Sequence, residues 1–295
     1  MSAPNKFAVL LKPSDVQPAL DRAAQYARMV PEIEVVAIRV INDFKDSEKE
    51  QITLRETSAF EQLKRKYSSI QNFTIKVVFS KDVAKGFIDA AQEENCALEV
   101  ISANKRHTLR DMFVSSIDSS IMRKSRLPLL VVKQATQTAT LGQNVILAID
   151  FTEVAHIAKL DEVLYKAASK FANAFDGVVH VANCITPENS GLMGGNLEQS
   201  KILSSVGAVS LDKIQHQLAE EFAKKHNIKK ENMHLLNGRM DEEIPRLSEI
   251  LNARMVCMGA TPRSTFFGSL NSSASELVLE QIKGDIFIVN ADTLK

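Results

Sequence analysis

Cysteine is scarce in this sequence of 295 residues, which contains only Cys96, Cys184 and Cys257. The three cysteines lie far apart and form no C-x-x-C pair. A disulfide framework would need more cysteines at closer spacings, so the sequence predicts reduced, mostly buried thiols in a cytoplasmic protein.

Excess charge of one sign and long apolar runs are also missing. Lys plus Arg and Asp plus Glu each number 36, whereas proteins that bind nucleic acid or anionic membranes usually carry a basic excess. No segment approaches the roughly 18 apolar residues of a membrane-spanning helix, and the first residues show no signal-cleavage pattern. We therefore expect a soluble, intracellular protein with no nucleic-acid and no membrane partner.

Short apolar runs of strand length alternate with amphipathic segments of helical spacing along the chain. This alternation predicts parallel sheets flanked by helices, with about five strands and four helices in each half. The first half ends with the apolar run Leu129–Val132, and the pattern restarts at Val145–Ile149, which is followed by Asp150. The polar, uncharged stretch between these runs predicts a linker, and we place the domains at residues 1–136 and 143–295.

An internal duplication relates the two halves. When the sequence is shifted by 157 residues without a gap, Ser272–Ser273 falls on Ser115–Ser116, and Ile286–Val289 falls on Leu129–Val132. Matching serine pairs alone would mean little, but matching strands beside them favour a repeated unit. The halves are therefore predicted to have similar sheets related by a pseudo-two-fold axis.

The last strand of each half is apolar, and such a strand is an aggregation hazard unless its edge is paired or covered. Pairing of the two strands within one chain would remove that hazard. We therefore predict intramolecular domain pairing, with an interface that contains Leu129, Val131, Ile286 and Ile288.

Three stretches resemble the universal stress protein family: the strand that ends in Leu-Ala-Ile-Asp150, the segment Asn237–Ala253, and the loop from Gly259 to Ile288. The resemblance implies an α/β fold of two tandem, Rossmann-like domains, each with an open five-stranded parallel sheet, packed as an internal pseudo-dimer. It also implies a cytoplasmic protein that supports survival under stress.

Nucleotide-binding members of this family carry an aspartate after the first strand and a G-x-x-G-x9-G-[ST] loop. Glycines let the backbone approach phosphate oxygens, and the hydroxyl and the helix N-terminus donate hydrogen bonds. The resemblance implies that Asp150, Gly259 and Ser273 of the second half contact a nucleotide. Three further candidates for nucleotide binding in that half are Val181 beside the adenine and Arg263 and Ser272 at the phosphates. Pro262 and Ser272 replace two loop glycines, so ATP is expected to bind weakly if it binds at all.

The first half departs further from the family pattern. Lys12 replaces the aspartate, and Ser102, Lys105 and Ser115 replace the three glycines. The first half is therefore not expected to bind ATP in the manner of the family.

Each candidate residue also has a purely structural interpretation. The serines could cap helices, Asp150 could cap the turn that follows it, Gly259 could serve a turn, and Arg263 could be solvated. The histidines show no ligand spacing with one another or with the cysteines, so no metal site is predicted.

No catalytic motif emerges, since the sequence has no G-x-S-x-G elbow, no complete P-loop and no H-E-x-x-H. We predict a non-catalytic regulatory or binding protein that requires no cofactor. Two alternatives stay open: slow hydrolysis of bound ATP in the second half, and transport of a small amphipathic ligand beside the insertion Asn183–Asn196. A homodimer and unidentified protein partners also stay open.

Overall fold

The computed structural model describes residues 5–103, 116–133, 141–151, 157–185, 211–260 and 281–290. The strands are β1 (Lys6–Leu10), β2 (Glu34–Ile41), β3 (Asn72–Phe79), β4 (Leu98–Ser102), β5 (Leu129–Val132), β6 (Val145–Ala148), β7 (Val179–Ile185), β8 (Met233–Asn237), β9 (Met255–Ala260) and β10 (Asp285–Asn290). The α-helices are α1 (Pro18–Met29), α2 (Lys49–Lys66), α3 (Val83–Glu93), α4 (Ser116–Lys124), α5 (Ile157–Asn173), α6 (Leu211–Lys225) and α7 (Met240–Ile250).

The ten strands form one sheet in the order β3-β2-β1-β4-β5-β10-β9-β6-β7-β8. Each half therefore has the same strand order, with its first strand in the middle of five. Neighbouring strands within each half are parallel, whereas β5 and β10 run antiparallel at the centre. This topology confirms the predicted fold of two Rossmann-like domains packed as an internal pseudo-dimer.

The central strand pair joins the two halves. Ile286 lies opposite Val131, and Ile288 lies opposite Leu129. All four side chains are buried on the same face of the sheet. Because each strand covers the edge of the other, neither presents a row of unpaired backbone groups to solvent.

Helices cover both faces of the sheet. Helices α1, α2, α5 and α6 contribute to the core on one face, and α3, α4 and α7 contribute to the core on the other. Helix α1 starts with Pro18, whose fixed φ suits a first helical position. Its inward side carries the buried alanines Ala19, Ala23 and Ala27, which allow the helix to lie close to the strands.

Strand β7 is longer than the sequence predicted. The residues from Asn183 to Ile185 were assigned to the insertion, but they pair with Leu235–Asn237 of β8. That prediction is wrong. A polar residue such as Asn183 is typical of a loop, but here its side-chain amide is buried within a strand and hydrogen-bonded inside the fold. The rest of the predicted insertion, the linker residues 134–140 and the loop residues 261–280 lie outside the described residues.

Among the helices of the described residues, none has the length and hydropathy that a membrane crossing requires.

One carboxyl group is buried within the sheet of the first half. Glu99 of β4 lies between Ala8 of β1 and Leu129 of β5, and it has no exposed surface. Burial raises the pKa of Glu99 to about 7, although the neighbouring Ser125 side chain opposes the shift. An apolar interior disfavours the ionised form of a carboxyl group, so ionisation of Glu99 destabilises the folded state.

The central strand pair is predicted to carry much of the stability. Leu130 of β5 is fully buried opposite Phe287 of β10, so Leu130→Ala should lower the free energy of unfolding by about 2–5 kcal/mol. Urea denaturation measures the change. Leu54→Ala on α2 is the matched control, because Leu54 is 65% exposed and its truncation should cost within about 0.5 kcal/mol. Equal losses in the two variants would contradict the prediction.

Glu99 is predicted to make stability depend on pH. Between its usual pKa and about 7, the folded protein holds a proton that the unfolded chain has lost, so stability should fall as pH rises through this range. Glu99→Gln should remove this component, which amounts to about 3 kcal/mol. Urea denaturation below and above this pH range measures it, with exposed Glu61→Gln as the control. An unchanged pH dependence in Glu99→Gln would rule the assignment out.

Candidate functional site

The strand order creates a crevice in each half. In open α/β sheets, ligands bind outside the carboxyl ends of the strands, where the connections diverge to opposite sides. In the second half this point lies between the ends of β6 and β9, and we call it the second-half crevice. The first-half crevice lies between the ends of β1 and β4.

The turn after β6 places Asp150 at the second-half crevice. Asp150 is exposed, whereas the following Phe151 is buried against Phe222 of α6, with 5.8 Å between the ring centroids. The Phe151 N–H donates to Asn183 Oδ1 at 3.3 Å, and Asn183 Nδ2 donates to Gln215 Oε1 at 3.4 Å. Because both amides are buried, β7 and α6 fix the turn that carries Asp150.

Gly259 lies across the crevice, near the end of β9. A Cβ at this position would lie 2.6 Å from Leu160 Cδ2 and 3.6 Å from Leu164 Cδ1, both on α5. The first distance is well below a normal carbon–carbon contact. The glycine therefore serves the close packing of α5 on the sheet, which is a structural role beyond the turn considered from the sequence.

Acidic groups surround the second-half crevice. Asp161 of α5 is buried, and burial together with neighbouring carboxylates, first Asp150, raises the pKa of Asp161 to about 7. Burial also raises the pKa of the Cys184 thiol to about 12, and the carboxylates of Glu243 and Asp150 add to that shift. Cys184 is therefore a protonated thiol and a poor nucleophile.

The loop after β8 forms a further part of this edge. Gly238 has a φ of 147°, a conformation that L-residues rarely adopt. Arg239 Nε donates to Asp241 Oδ1 at 2.8 Å, and this guanidinium lowers the pKa of Asp241. Arg246 pairs with Glu243 in the same way on the first turns of α7. Asp241 and Glu243 are thus offset by arginines.

Of the remaining nucleotide candidates, the structure describes Val181. Val181 is fully buried in the core beneath α5 and α6 and has no exposed surface. Arg263, Ser272 and Ser273 lie outside the described residues. The structure thus brings Asp150 and Gly259 to the ends of strands that both border the second-half crevice. The phosphate roles stay predictions.

Side chains of the protein occupy the first-half crevice. Gln17 is buried, accepts from the Lys12 N–H at 2.9 Å and donates to the Lys12 carbonyl at 2.9 Å. Ser102 Oγ accepts from the Ala19 N–H at 2.9 Å. Ser102 stands at the first glycine position of the family loop, and its hydroxyl accepts a hydrogen bond from a backbone N–H at the start of α1. A helix N-terminus used in this way has one donor fewer for a phosphate.

The charge at the end of the first strand is inverted between the halves. Lys12 stands where the second half has Asp150. Burial lowers the pKa of Lys12, and the nearby Asp118 carboxylate opposes this shift. Asp118 is itself buried on α4, so the lysine faces an acidic group of its own half.

Strand pairing brings two of the histidines together. His180 Nδ1 and His234 Nε2 lie 3.0 Å apart on the neighbouring strands β7 and β8. The local sequence does not reveal this contact, because strand pairing brings together residues that are distant in sequence. Burial lowers the pKa of both rings. Within the described part of the chain, no group of three or more His, Cys, Asp or Glu could hold a metal ion.

Sequence reasoning missed several residues of the two crevices. Asp161 has a detectable signal, because it lies among buried residues of α5, with Leu164 and Ala168 three and seven positions later. Gln17, Asn183 and Gln215 have no such signal. Their amides serve contacts between separate elements, and nothing in the local spacing reveals them.

Comparison with known proteins adds the family. The model of the Universal stress protein family matches residues 7–133 and 143–290. The chain belongs to the universal stress protein family. Its two matched regions correspond to the two five-stranded halves, so each half of this universal stress protein is one domain of the family fold.

Solved structures resemble the chain over nearly its full length. A putative universal stress protein from Pseudomonas aeruginosa UCBPP-PA14 has a TM-score of 0.74 and 17% identity, over 99% of this chain and 95% of that chain. A functionally unknown protein from Pseudomonas aeruginosa PAO1 has a TM-score of 0.75 and 17% identity, with coverages of 99% and 95%. A universal stress protein from Archaeoglobus fulgidus has a TM-score of 0.69 and 15% identity, with coverages of 98% and 99%. No curated protein matched the chain.

Gly259 of this universal stress protein is predicted to be needed for the packing of α5. Gly259→Ala should lower the free energy of unfolding by about 1–3 kcal/mol, because the added methyl group collides with Leu160. Chemical denaturation measures the loss. In the Leu160→Ala background the same substitution should cost less, since the colliding atoms are gone. An equal cost in both backgrounds would show that the collision is not the cause.

Proposed function

We propose that this universal stress protein is a non-catalytic regulatory or binding protein that supports stress resistance. Family membership supports the stress-related role. The observation that carries the non-nucleotide part of the proposal is the buried carboxyl group of Asp161 beside the second-half crevice, in addition to the Asp150 carboxylate that nucleotide-binding members also have. The three cysteines are all free thiols, and this supports the proposal that the protein resides in the reducing cytoplasm.

The second-half crevice is a poor site for a nucleotide triphosphate. Phosphate sites usually combine glycines, backbone N–H groups and positive charge. Here a buried carboxyl group with a pKa of about 7 lies near the Asp150 carboxylate. Ionisation of Asp161 would oppose a bound phosphate group, because like charges repel strongly where water is partly excluded.

The first-half crevice is less suited still. The Gln17 amide and the Ser102 hydroxyl use backbone groups that a ligand would need, and both are buried. A ligand there would have to break these hydrogen bonds at about 0.5–1.5 kcal/mol each. We infer that ligand recognition, where it occurs, belongs to the second half.

Binding of ATP, with slow hydrolysis, is the second candidate function. The specific observation in its favour is that Asp150 and Gly259 lie near the ends of β6 and β9, on the two sides of one crevice. The family resemblance implies that these two residues contact the nucleotide. The first candidate function therefore predicts weak or no nucleotide binding in the second-half crevice, and the second predicts that ATP binds there.

Titration calorimetry of the full chain with ATP and magnesium distinguishes the two candidates. We expect affinity at least about tenfold weaker than micromolar, because the altered loop loses one or two charge-assisted hydrogen bonds. We also expect no release of phosphate above the rate without protein. Micromolar binding that Asp150→Ala abolishes would overturn the proposal in favour of the ATP-binding candidate. Micromolar binding that Asp150→Ala leaves intact would also contradict it, and would place the nucleotide elsewhere.

The effect of the Asp161 charge on ATP binding can be measured separately. Above pH 7, Asp161→Asn should strengthen residual ATP binding by about three- to tenfold, because it removes one negative charge near the phosphates. Well below pH 7 the gain should disappear, since Asp161 is then protonated in the native protein. Exposed Glu61→Gln in the first half is the control and should change nothing. A gain that is the same at both pH values would contradict the assigned role of Asp161.

A further inference from the structure

Two buried arginines lie where the two halves meet. Arg22 is on α1 of the first half, and Arg254 directly precedes β9 of the second half. With Tyr26 of α1 and Asp285 of β10 they form what we call the interdomain arginine cluster. Each of these four side chains is at least 96% buried. The rings of Phe175 and its neighbours cover the cluster.

Asp285 supplies the carboxylate of the interdomain arginine cluster. Arg22 Nε lies 2.7 Å from Asp285 Oδ2. The other oxygen, Asp285 Oδ1, accepts from the Lys133 N–H at 3.3 Å. Arg22 Nη1 donates to Gln25 Oε1 at 2.8 Å, which is a neutral acceptor. Asp285 is therefore engaged by the first half through both of its oxygens.

The second arginine is held differently. Arg254 Cζ lies 3.8 Å from the centroid of the Phe175 ring, so the guanidinium stacks on an aromatic face. Its Nε and Nη1 are buried and have no hydrogen-bond acceptor among the residues that the structure describes. The Tyr26 hydroxyl is buried and unpartnered within the same set of residues. Tyr26 contacts the same ring, with 5.2 Å between the centroids.

These groups have a common electrostatic need. Among the residues that the structure describes, Asp285 is paired with Arg22, and the buried Arg254 guanidinium has no ion-pair partner of its own. Buried charges in proteins are normally paired, and buried donors are normally hydrogen-bonded. Arg254 and Tyr26 together offer three buried donor atoms, and both side chains contact the Phe175 ring. A water molecule could accept these hydrogen bonds, but it would leave the charge uncompensated.

We propose that the interdomain arginine cluster binds a small monovalent anion of halide size, held by Nε and Nη1 of Arg254 and by the Tyr26 hydroxyl. A halide accepts hydrogen bonds from all sides and balances the second guanidinium. Phe171 and Phe175 pack against Tyr26, and Phe287 packs against Phe171, so the donors lie among aromatic rings and the ligand expected there is small. Because Tyr26 and Arg254 belong to different halves, the bound anion links the two domains.

The proposal is independent of the two crevices. It predicts that chloride stabilises the folded protein, since a ligand that binds only the folded state raises its stability. At constant ionic strength, replacement of gluconate by chloride should raise the midpoint of thermal unfolding. The rise should be about 2–4 °C once chloride exceeds its dissociation constant about tenfold.

Matched variants assign this effect to the cluster. Tyr26→Phe removes only the hydroxyl and should weaken chloride binding about tenfold, while Arg254→Met should abolish the chloride effect. Tyr67→Phe is the control, because the Tyr67 hydroxyl is also largely buried but donates to Asp21 at 2.6 Å, away from the cluster. It should lower stability and leave the chloride effect intact. Equal chloride effects in native protein, Tyr26→Phe and Arg254→Met would overturn the proposal.

A direct measurement does not depend on the folding of any variant. Crystals of the full chain grown with sodium bromide should show an anomalous bromide peak within hydrogen-bonding distance of Arg254 Nε. A water molecule at that place in bromide crystals, together with equal stability in chloride and gluconate, would refute the anion site.

Discussion

The antiparallel pairing of β5 with β10 is the contact on which the rest of the molecule depends. Each five-stranded half ends in an apolar strand that would otherwise expose a sheet edge. The pairing converts two open sheets into one sheet of ten strands and buries Leu130 against Phe287. On the amino side of β10, the Arg22–Asp285 ion pair connects α1 of one half to the strand of the other. Packing and charge therefore act at the same junction.

The two halves have kept one fold while their crevices have diverged. In the first half, the Gln17 side chain bonds the Lys12 backbone, and the Ser102 hydroxyl accepts from the Ala19 N–H at the start of α1. In the second half, Asp150 stays exposed on a turn that buried amides hold in place. Gly259 has a structural role that does not depend on a ligand, because a Cβ there would collide with the Leu160 side chain of α5. The presence of this glycine is therefore not by itself evidence for a nucleotide site.

The fold could be predicted from the sequence because parallel strands covered on both faces appear as short apolar runs. Val145–Ile149 and Leu129–Val132 are buried along their length, and the ungapped offset between the halves revealed the repeat. The crevices were less predictable. Asp150 follows β6 and Gly259 lies near the end of β9, so a strand-end pattern revealed both, but Asp161 and Gln17 act through contacts between elements. The pairing of Arg22 with Asp285 joins residues from opposite ends of the chain, and no local pattern indicates it.

The reversal of strand direction at the centre of the sheet has a geometric consequence. All strands of the first half run parallel to β5, and all strands of the second half run parallel to β10. Their carboxyl edges therefore point to opposite poles of the molecule. The two crevices therefore open at opposite poles of the molecule, and a small ligand in one crevice makes no contact with the residues of the other.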